Sequence, residues 1–466
     1  MKNKFVFAGL VAMGAAGLQT TFAESLDLIS PKNWNVSATL RGFYDDNYNI
    51  AGNKKGSVGA EFSPSISLNV PLRQTDIGLR YTYGLYYYQD RQDLNLDAFD
   101  QTHQVDVWLD HAFNERWKLN VTDTVAIGQE PDLIGPTSIS TPSGVLYRVQ
   151  GDNLANHGTV KLDTEWTRLF STSLQYGNNF YDYQNSGATL GGPASGLVWL
   201  RQTGVPGGVS GFQFLGLGGP SLAGLLNRVE QNVSLDLQWN IQPETMVFVG
   251  YNLGLVNYTG NEPVGVYNYL TSPAPGTPGS LVYHSADRDS LSHYGYVGVQ
   301  HDFTANVRGT VKGGVTYTDS YNDPLNKSTT LTPYADLSVS YTYIPGSYVQ
   351  LGFTHDINAT DNASVDQRTG SLTQNQESSV LYASINHRIT QDLIATVIGR
   401  CQYSTYNGGA ANNEADTTYG LGVNLHYQIS RHFSADAGYN YDNLVSDVAG
   451  RGYERNRVYL GLGANY

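Results

Sequence analysis

The sequence predicts an all-β chain, a transmembrane antiparallel β-barrel of about 18 strands with 16 as the alternative count. Three observations carry that expectation. Apolar and polar residues alternate with period 2 through most of the chain. The alternating stretches are joined by tight turns at one end and by long polar or Gly/Pro-rich segments at the other. Outside the first residues, no apolar run is long enough for a membrane helix, so a membrane assignment rests on alternation alone.

At 466 residues the chain exceeds the usual size of one compact soluble domain, yet no break in composition divides it. One long sheet closed on itself accommodates that length. Only 15% of residues are charged, and the net charge of -14 opposes nucleic-acid binding, which needs clustered cations. Residues 1–23 read as a secretory signal. Lys2 and Lys4 precede an apolar core from Phe5 to Leu18, and Thr21-Phe22-Ala23 places small residues where signal peptidase reads them. The predicted mature chain, 24–466, is a single barrel. Cys401 is the sole cysteine, so an intramolecular disulfide and lipoprotein processing are excluded.

In chain order, Trp34, Val36, Ala38 and Leu40 alternate with Asn35, Ser37, Thr39 and Arg41 to give a first strand. A second runs from Ser57 to Val70, with Val58, Ala60, Phe62, Ile66 and Leu68 on one face. Short turns are expected at 71–76, 113–117, 166–170, 241–245, 303–307, 343–347, 389–393 and 429–433. Long loops are expected near 49–56, 89–102, 128–155, 184–226, 258–289, 320–329, 359–377, 407–416 and 446–452. Short turns facing the periplasm and long loops facing outward is the arrangement of bacterial outer-membrane barrels, with both termini periplasmic. The last strand, Tyr453 to Tyr466, alternates Val458, Leu460, Leu462, Ala464 and Tyr466 with Arg457, Tyr459, Gly461, Gly463 and Asn465. A strand ending on an aromatic residue is what barrel-insertion machinery is expected to recognise.

A soluble sandwich would show the same alternation. Aromatic placement separates the two cases. Trp117, Trp166, Phe170, Trp239, Phe303, Tyr343 and Phe433 stand at turn ends, whereas Tyr81 to Tyr88 and Tyr439 to Tyr441 lie toward the loop ends. Two such belts match the two membrane interfaces.

A barrel of this size leaves an aqueous lumen. The polar face carries charges of both signs, which water tolerates and lipid does not. The candidate pore-lining residues are Arg80, Asp106, Lys118, Glu230, Asp236, Arg308, Lys312, Asp336, Arg388 and Arg400. The segment 184–226 is the candidate constriction, with Leu197, Trp199, Arg201, Phe212 and Phe214, because a Gly-, Leu- and Phe-rich loop with Arg201 as its lone charge is awkward fully exposed.

The ten histidines show no serine and acid at a diagnostic spacing, and no phosphate loop, dinucleotide fingerprint or zinc pattern occurs. Asp90, Asp93, Asp97 and Asp100, and the run Asp45-Asp46-Asn47, lack calcium-loop spacing. No enzyme activity and no cofactor are therefore expected.

The segments RGFYDDNYN at 41–49, Ser63-Pro64-Ser65-Ile66-Ser67-Leu68 and IGLRYTYGLYYY at 77–88, with the His103-containing strand, resemble the putative β-barrel porin family, type two, of Gram-negative outer-membrane proteins. The resemblance covers the strand pattern of nearly all the mature chain and brings no catalytic residues. It implies an outer-membrane barrel admitting small hydrophilic solutes, in contact with lipid and lipopolysaccharide, with a homotrimer left open. The alternative is a plugged barrel serving surface polysaccharide export or adhesion. Liposome swelling with graded sugars separates the two.

Overall fold

The computed structural model describes residues 33–50, 52–94, 98–128, 153–184, 197–201, 212–217, 220–268, 280–325 and 327–466. The expected signal at 1–23 lies outside them.

Eighteen strands form one sheet, each antiparallel to its neighbours. They are β1 (Trp34–Asp45), β2 (Ser57–Pro71), β3 (Thr75–Tyr88), β4 (Phe99–Ala112), β5 (Trp117–Gly128), β6 (Asn153–Glu165) and β7 (Phe170–Tyr183). After the short β8 (Leu197–Arg201) and β9 (Phe212–Leu217) come β10 (Arg228–Gln242) and β11 (Thr245–Tyr258). The short β12 (Pro263–Asn268) and β13 (Ser280–His284) precede β14 (Ser290–Thr304), β15 (Val307–Ser320), β16 (Ser328–Ile344), β17 (Ser347–Asn358) and β18 (Asn375–Arg388). The chain ends with β19 (Leu393–Asn407), β20 (Ala415–Gln428), β21 (Phe433–Ser446) and β22 (Tyr453–Asn465).

Consecutive long strands pair all the way round, and β22 returns to β1 with Leu462 opposite Leu40. Closure leaves no free edge, which is the condition for a sheet to span lipid. The expected count of eighteen and all eight expected short turns are present. Side chains close those turns. Asn114 Oδ1 accepts from Arg116 N and Trp117 N at 2.8 and 3.0 Å, and Thr390 Oγ1 accepts from Asp392 N and Leu393 N at 3.3 and 3.0 Å. A short polar side chain that bonds its own backbone two or three residues on stabilises a tight turn.

Because the strand period is 2, each strand has one apolar face and one polar face. The apolar rows are exposed, as at Leu40, Val297, Leu381 and Leu460, the last 68% exposed. The polar rows face the concave side, as contacts that skip a strand demonstrate. Arg41 of β1 donates to Asp436 of β21 at 2.7 Å, crossing β22 at Gly461. Tyr296 of β14 donates to Asp236 of β10 at 2.7 Å, crossing β11 at Gly250, where a Cβ would stand 2.1 Å from the tyrosine ring. Only the inside of a curved sheet brings second-neighbour strands that close. Asp123 breaks the pattern. It shares the outer face with Val121 and Val125 and accepts from Asn156 Nδ2 at 2.7 Å.

Candidate functional site: the inner wall and the loop cap

The inner wall is a network of paired charges. Arg41 bridges Glu61 and Asp436 at 3.2 and 2.7 Å, Arg80 meets Asp106 at 2.9 Å, and Arg308 meets Asp302 at 2.5 Å. Lys312 reaches Asp336 at 3.2 Å. Arg228 and Glu230 pair at 2.7 Å, and Glu230 also accepts from Asn179. Arg455 and Arg457 converge on Asp45 at 2.7 and 2.8 Å. The residues expected on the polar face thus fall on concave rows: Arg80, Asp106, Glu230, Asp236, Arg308, Lys312 and Asp336 within this network, Lys118 and Arg388 near the short-turn rim, and Arg400 at mid-strand. The acids of the sequence runs are also engaged. Asp100 pairs with Arg91 at 2.5 Å, and Asp46 accepts from Lys54 and Asn456. Burial pushes the Asp46 carboxyl up, but the Asn456 and Lys54 hydrogen bonds outweigh it and hold the group below its ordinary value.

Aromatic residues on the inner wall escaped the sequence reading. Phe248, Tyr294, Tyr296, Tyr334 and Tyr382 stand on concave rows of β11, β14, β16 and β18. The Tyr294 and Tyr296 rings lie 5.8 and 5.5 Å from Tyr334. Trp108 lies over Gly78. The signal was available: each shares the parity of glycines and polar residues on its own strand.

At the long-loop rim the loops build a second core. A short helix, α1 (Leu222–Leu226), is capped by Ser221, which accepts from Gly224 N at 2.9 Å and donates to Glu262. Leu222, Leu225 and Leu226 are buried against Tyr183 of β7 and against Ala363. The hairpin β12–β13 contributes Val264 and Tyr283, which pack on Val365 and Leu372. Burying these apolar side chains stabilises each by about 1.5–3 kcal/mol relative to exposure.

The segment 359–374 holds these loops together. Gln367 donates to Val266 O at 2.6 Å, Tyr283 donates to Gly370 O, and Gln374 donates to Asp323 at 3.0 Å. Arg288, 1% exposed, donates to Leu225 O, Tyr258 Oη and Thr360 O. Arg451 donates to both oxygens of Asp361 at 3.0 Å and to Asp416 at 3.0 and 3.2 Å. Burial disfavours the charge on Arg451, but the Asp361 and Asp416 carboxylates outweigh that and raise its value above normal. The segment leaves the wall between β17 and β18, yet it contacts the helix seated on β7 in one direction and Arg451, just before β22, in the other. A segment that touches both lies across the mouth, not along its rim.

The expected constriction, 184–226, falls largely outside the described residues. Leu197, Trp199 and Arg201 lie on β8, and Phe212 and Phe214 on β9, and the two strands pair as an antiparallel hairpin. The described element that crosses the mouth is 359–374, a segment the sequence reading took for an ordinary long loop.

A closed 18-strand sheet, apolar outside and lined with paired charges inside, defines a β-barrel of the outer-membrane class. The profile of the putative beta-barrel porin 2 family matches residues 227–466, and the chain belongs to that family. No curated protein matches it. Solved structures to which it is similar include Acinetobacter baumannii OccAB4, 12% identical over 94% of this chain and 100% of that one, with a TM-score of 0.40. Pseudomonas aeruginosa OccK9 is 12% identical over 93% of this chain and 99% of its own, with a TM-score of 0.41. The siderophore receptor PiuA from Acinetobacter baumannii is 9% identical over 94% of this chain and 82% of its own, with a TM-score of 0.45.

Proposed function

We propose that the barrel passes small hydrophilic solutes down their gradients, through a lumen lined by Arg80, Asp106, Lys118, Glu230, Asp236, Arg308, Lys312, Asp336, Arg388 and Arg400. The observation that carries this reading is the concave face itself. It holds carboxylates and guanidinium groups that need water, on a ring of eighteen strands whose size leaves room for it. In this reading the long loops face outward and both termini face the periplasm, as in other bacterial barrels. The 359–374 segment sets the solute size limit, and the exposed apolar rows contact lipid. Liposome swelling with sugars of graded size tests it. Swelling should be fast for monosaccharides and fall off steeply with size; no swelling with any sugar would contradict it and favour a plugged barrel.

A further inference from the structure

A polar row crosses the lipid-facing side of the barrel. On the outer faces of β5, β6, β7 and β10 the register sets Asp123 opposite Gly158, Gly158 opposite Asn178 and Asn178 opposite Gln231. Asp123 leans over Gly158, where a Cβ would stand 3.0 Å from its Oδ1, and accepts from Asn156 on the same face at 2.7 Å. Asn178 and Gln231 make no side-chain hydrogen bond among the described residues.

The row lies within the apolar band, not at its edge. Ile127, Leu154, Phe180 and Val229 continue the same outer faces on the loop side. On the turn side stand Val160, Tyr176 and Val233, each 41% exposed. Asp123 is six residues from Trp117 of the turn-end aromatic belt, and Asn178 and Gln231 are eight from Phe170 and Trp239. At about 3.3 Å per residue and a tilt near ~40°, the row stands roughly 15–20 Å into an apolar band about 25 Å tall. Acyl chains offer no hydrogen bond at that depth. On β18, by contrast, the outer-face polar residues Ser379 and Glu377 run on to Asn375 at the loop rim with no apolar residue above them.

The groups themselves indicate what covers them. A primary amide both donates and accepts, so another amide of the same kind satisfies it. A two-fold axis along the membrane normal sets Asn178 against Asn178 at one height, and the apolar residues on either side of the row against their own copies. We propose that this outer face is an interface within the membrane, and that its occupant is a second copy of this chain. The Asn178 and Gln231 amides bond across it. The inference concerns the outer wall and holds whether or not the lumen conducts.

Cysteine cross-linking of the full chain in its membrane tests the interface. The background is Cys401→Ser, since Cys401 lies on β19, about half the ring away. Mild oxidation of Asn178→Cys should give a disulfide-linked species of twice the chain's mass, whereas Val423→Cys on the outer face of β20 should stay single. In detergent the wild type should sediment as a dimer. Asn178→Leu with Gln231→Leu should raise the dissociation constant about tenfold or more, the scale of two net hydrogen bonds. Both leucines suit a lipid-facing row, so the folded barrel survives, and its heat-modifiable migration in gels checks that. A monomeric wild type, no linked pair from Asn178→Cys, or an equally tight dimer with both leucines would overturn the proposal. A disulfide formed with a different protein would also overturn it, because the occupant would not be a second copy.

Discussion

Replacing Arg451 with alanine should release the segment that crosses the mouth. The guanidinium makes four hydrogen bonds of 3.0–3.2 Å to Asp361 and Asp416. The three side chains are 16%, 5% and 8% exposed, so the carboxylates left behind would stay largely shielded from water. Removing one partner of a buried pair costs about 3–5 kcal/mol, because the remaining charge is uncompensated. At about 1.4 kcal/mol per tenfold, the opening equilibrium of 359–374 should shift by a factor of roughly a hundred to a few thousand. Amide exchange in 359–374 should accelerate accordingly while β18 and β19 stay protected. Triple replacement with Arg451→Met, Asp361→Asn and Asp416→Asn should recover part of the protection, since it removes the unpaired charges. If Arg451→Ala left exchange in 359–374 unchanged, the latch would have no energetic role and the reasoning would be wrong.

Other predictions follow from the same geometry. Gly250→Val would put a Cβ 2.1 Å from the Tyr296 ring and 2.4 Å from Asp236 Oδ1, so it should break that bond and destabilise the barrel by about 1–3 kcal/mol. Gly295→Ala, with nothing within 4 Å of its Cβ, is the control and should be near neutral in urea titration. On the outer row of β14, Val297→Arg should cost about 2–4 kcal/mol in lipid vesicles, whereas Gln300→Arg on the inner row should be tolerated. For the 46–56 loop the folded Asp46 value lies below the ordinary 3.8. A lowered carboxyl contributes stability that is complete above its unfolded value and lost as pH falls through the folded one. Protection factors in 46–56, with the intrinsic pH dependence of exchange divided out, should therefore be flat above about pH 5 and fall as the solution is acidified below the ordinary carboxyl range.

Much of this architecture was legible in the sequence because a closed sheet writes itself with period 2. Val307, Val311, Val315 and Tyr317 point outward as their spacing requires, and the short turns were marked by residues such as Asn114 and Thr390 that close them. Inner-wall charges followed by parity alone. Their pairing did not, because partners such as Arg41 and Asp436 are 395 residues apart and meet only when the sheet closes. Inner aromatics are marked by parity rather than by type: Phe248 shares its row with Gly250 and Asn252. The mouth-crossing segment carries a local hint, with Val365 and Leu372 flanking a polar turn that ends at Gly370, a residue with φ +75°. That turn predicts a hairpin but not its destination. Its contacts with Val264, Tyr283 and Arg451 come from loops far away in sequence, and no local pattern encodes them.

Planar-bilayer recording of the folded protein tests the channel most directly. Discrete current steps should appear on insertion, and they should be larger for Arg451→Ala, in which the mouth-crossing segment is released. Silence from both proteins, inserted and correctly folded, would contradict the account, because the proposed channel through a ring of eighteen strands requires ions to pass once its cap is unlatched.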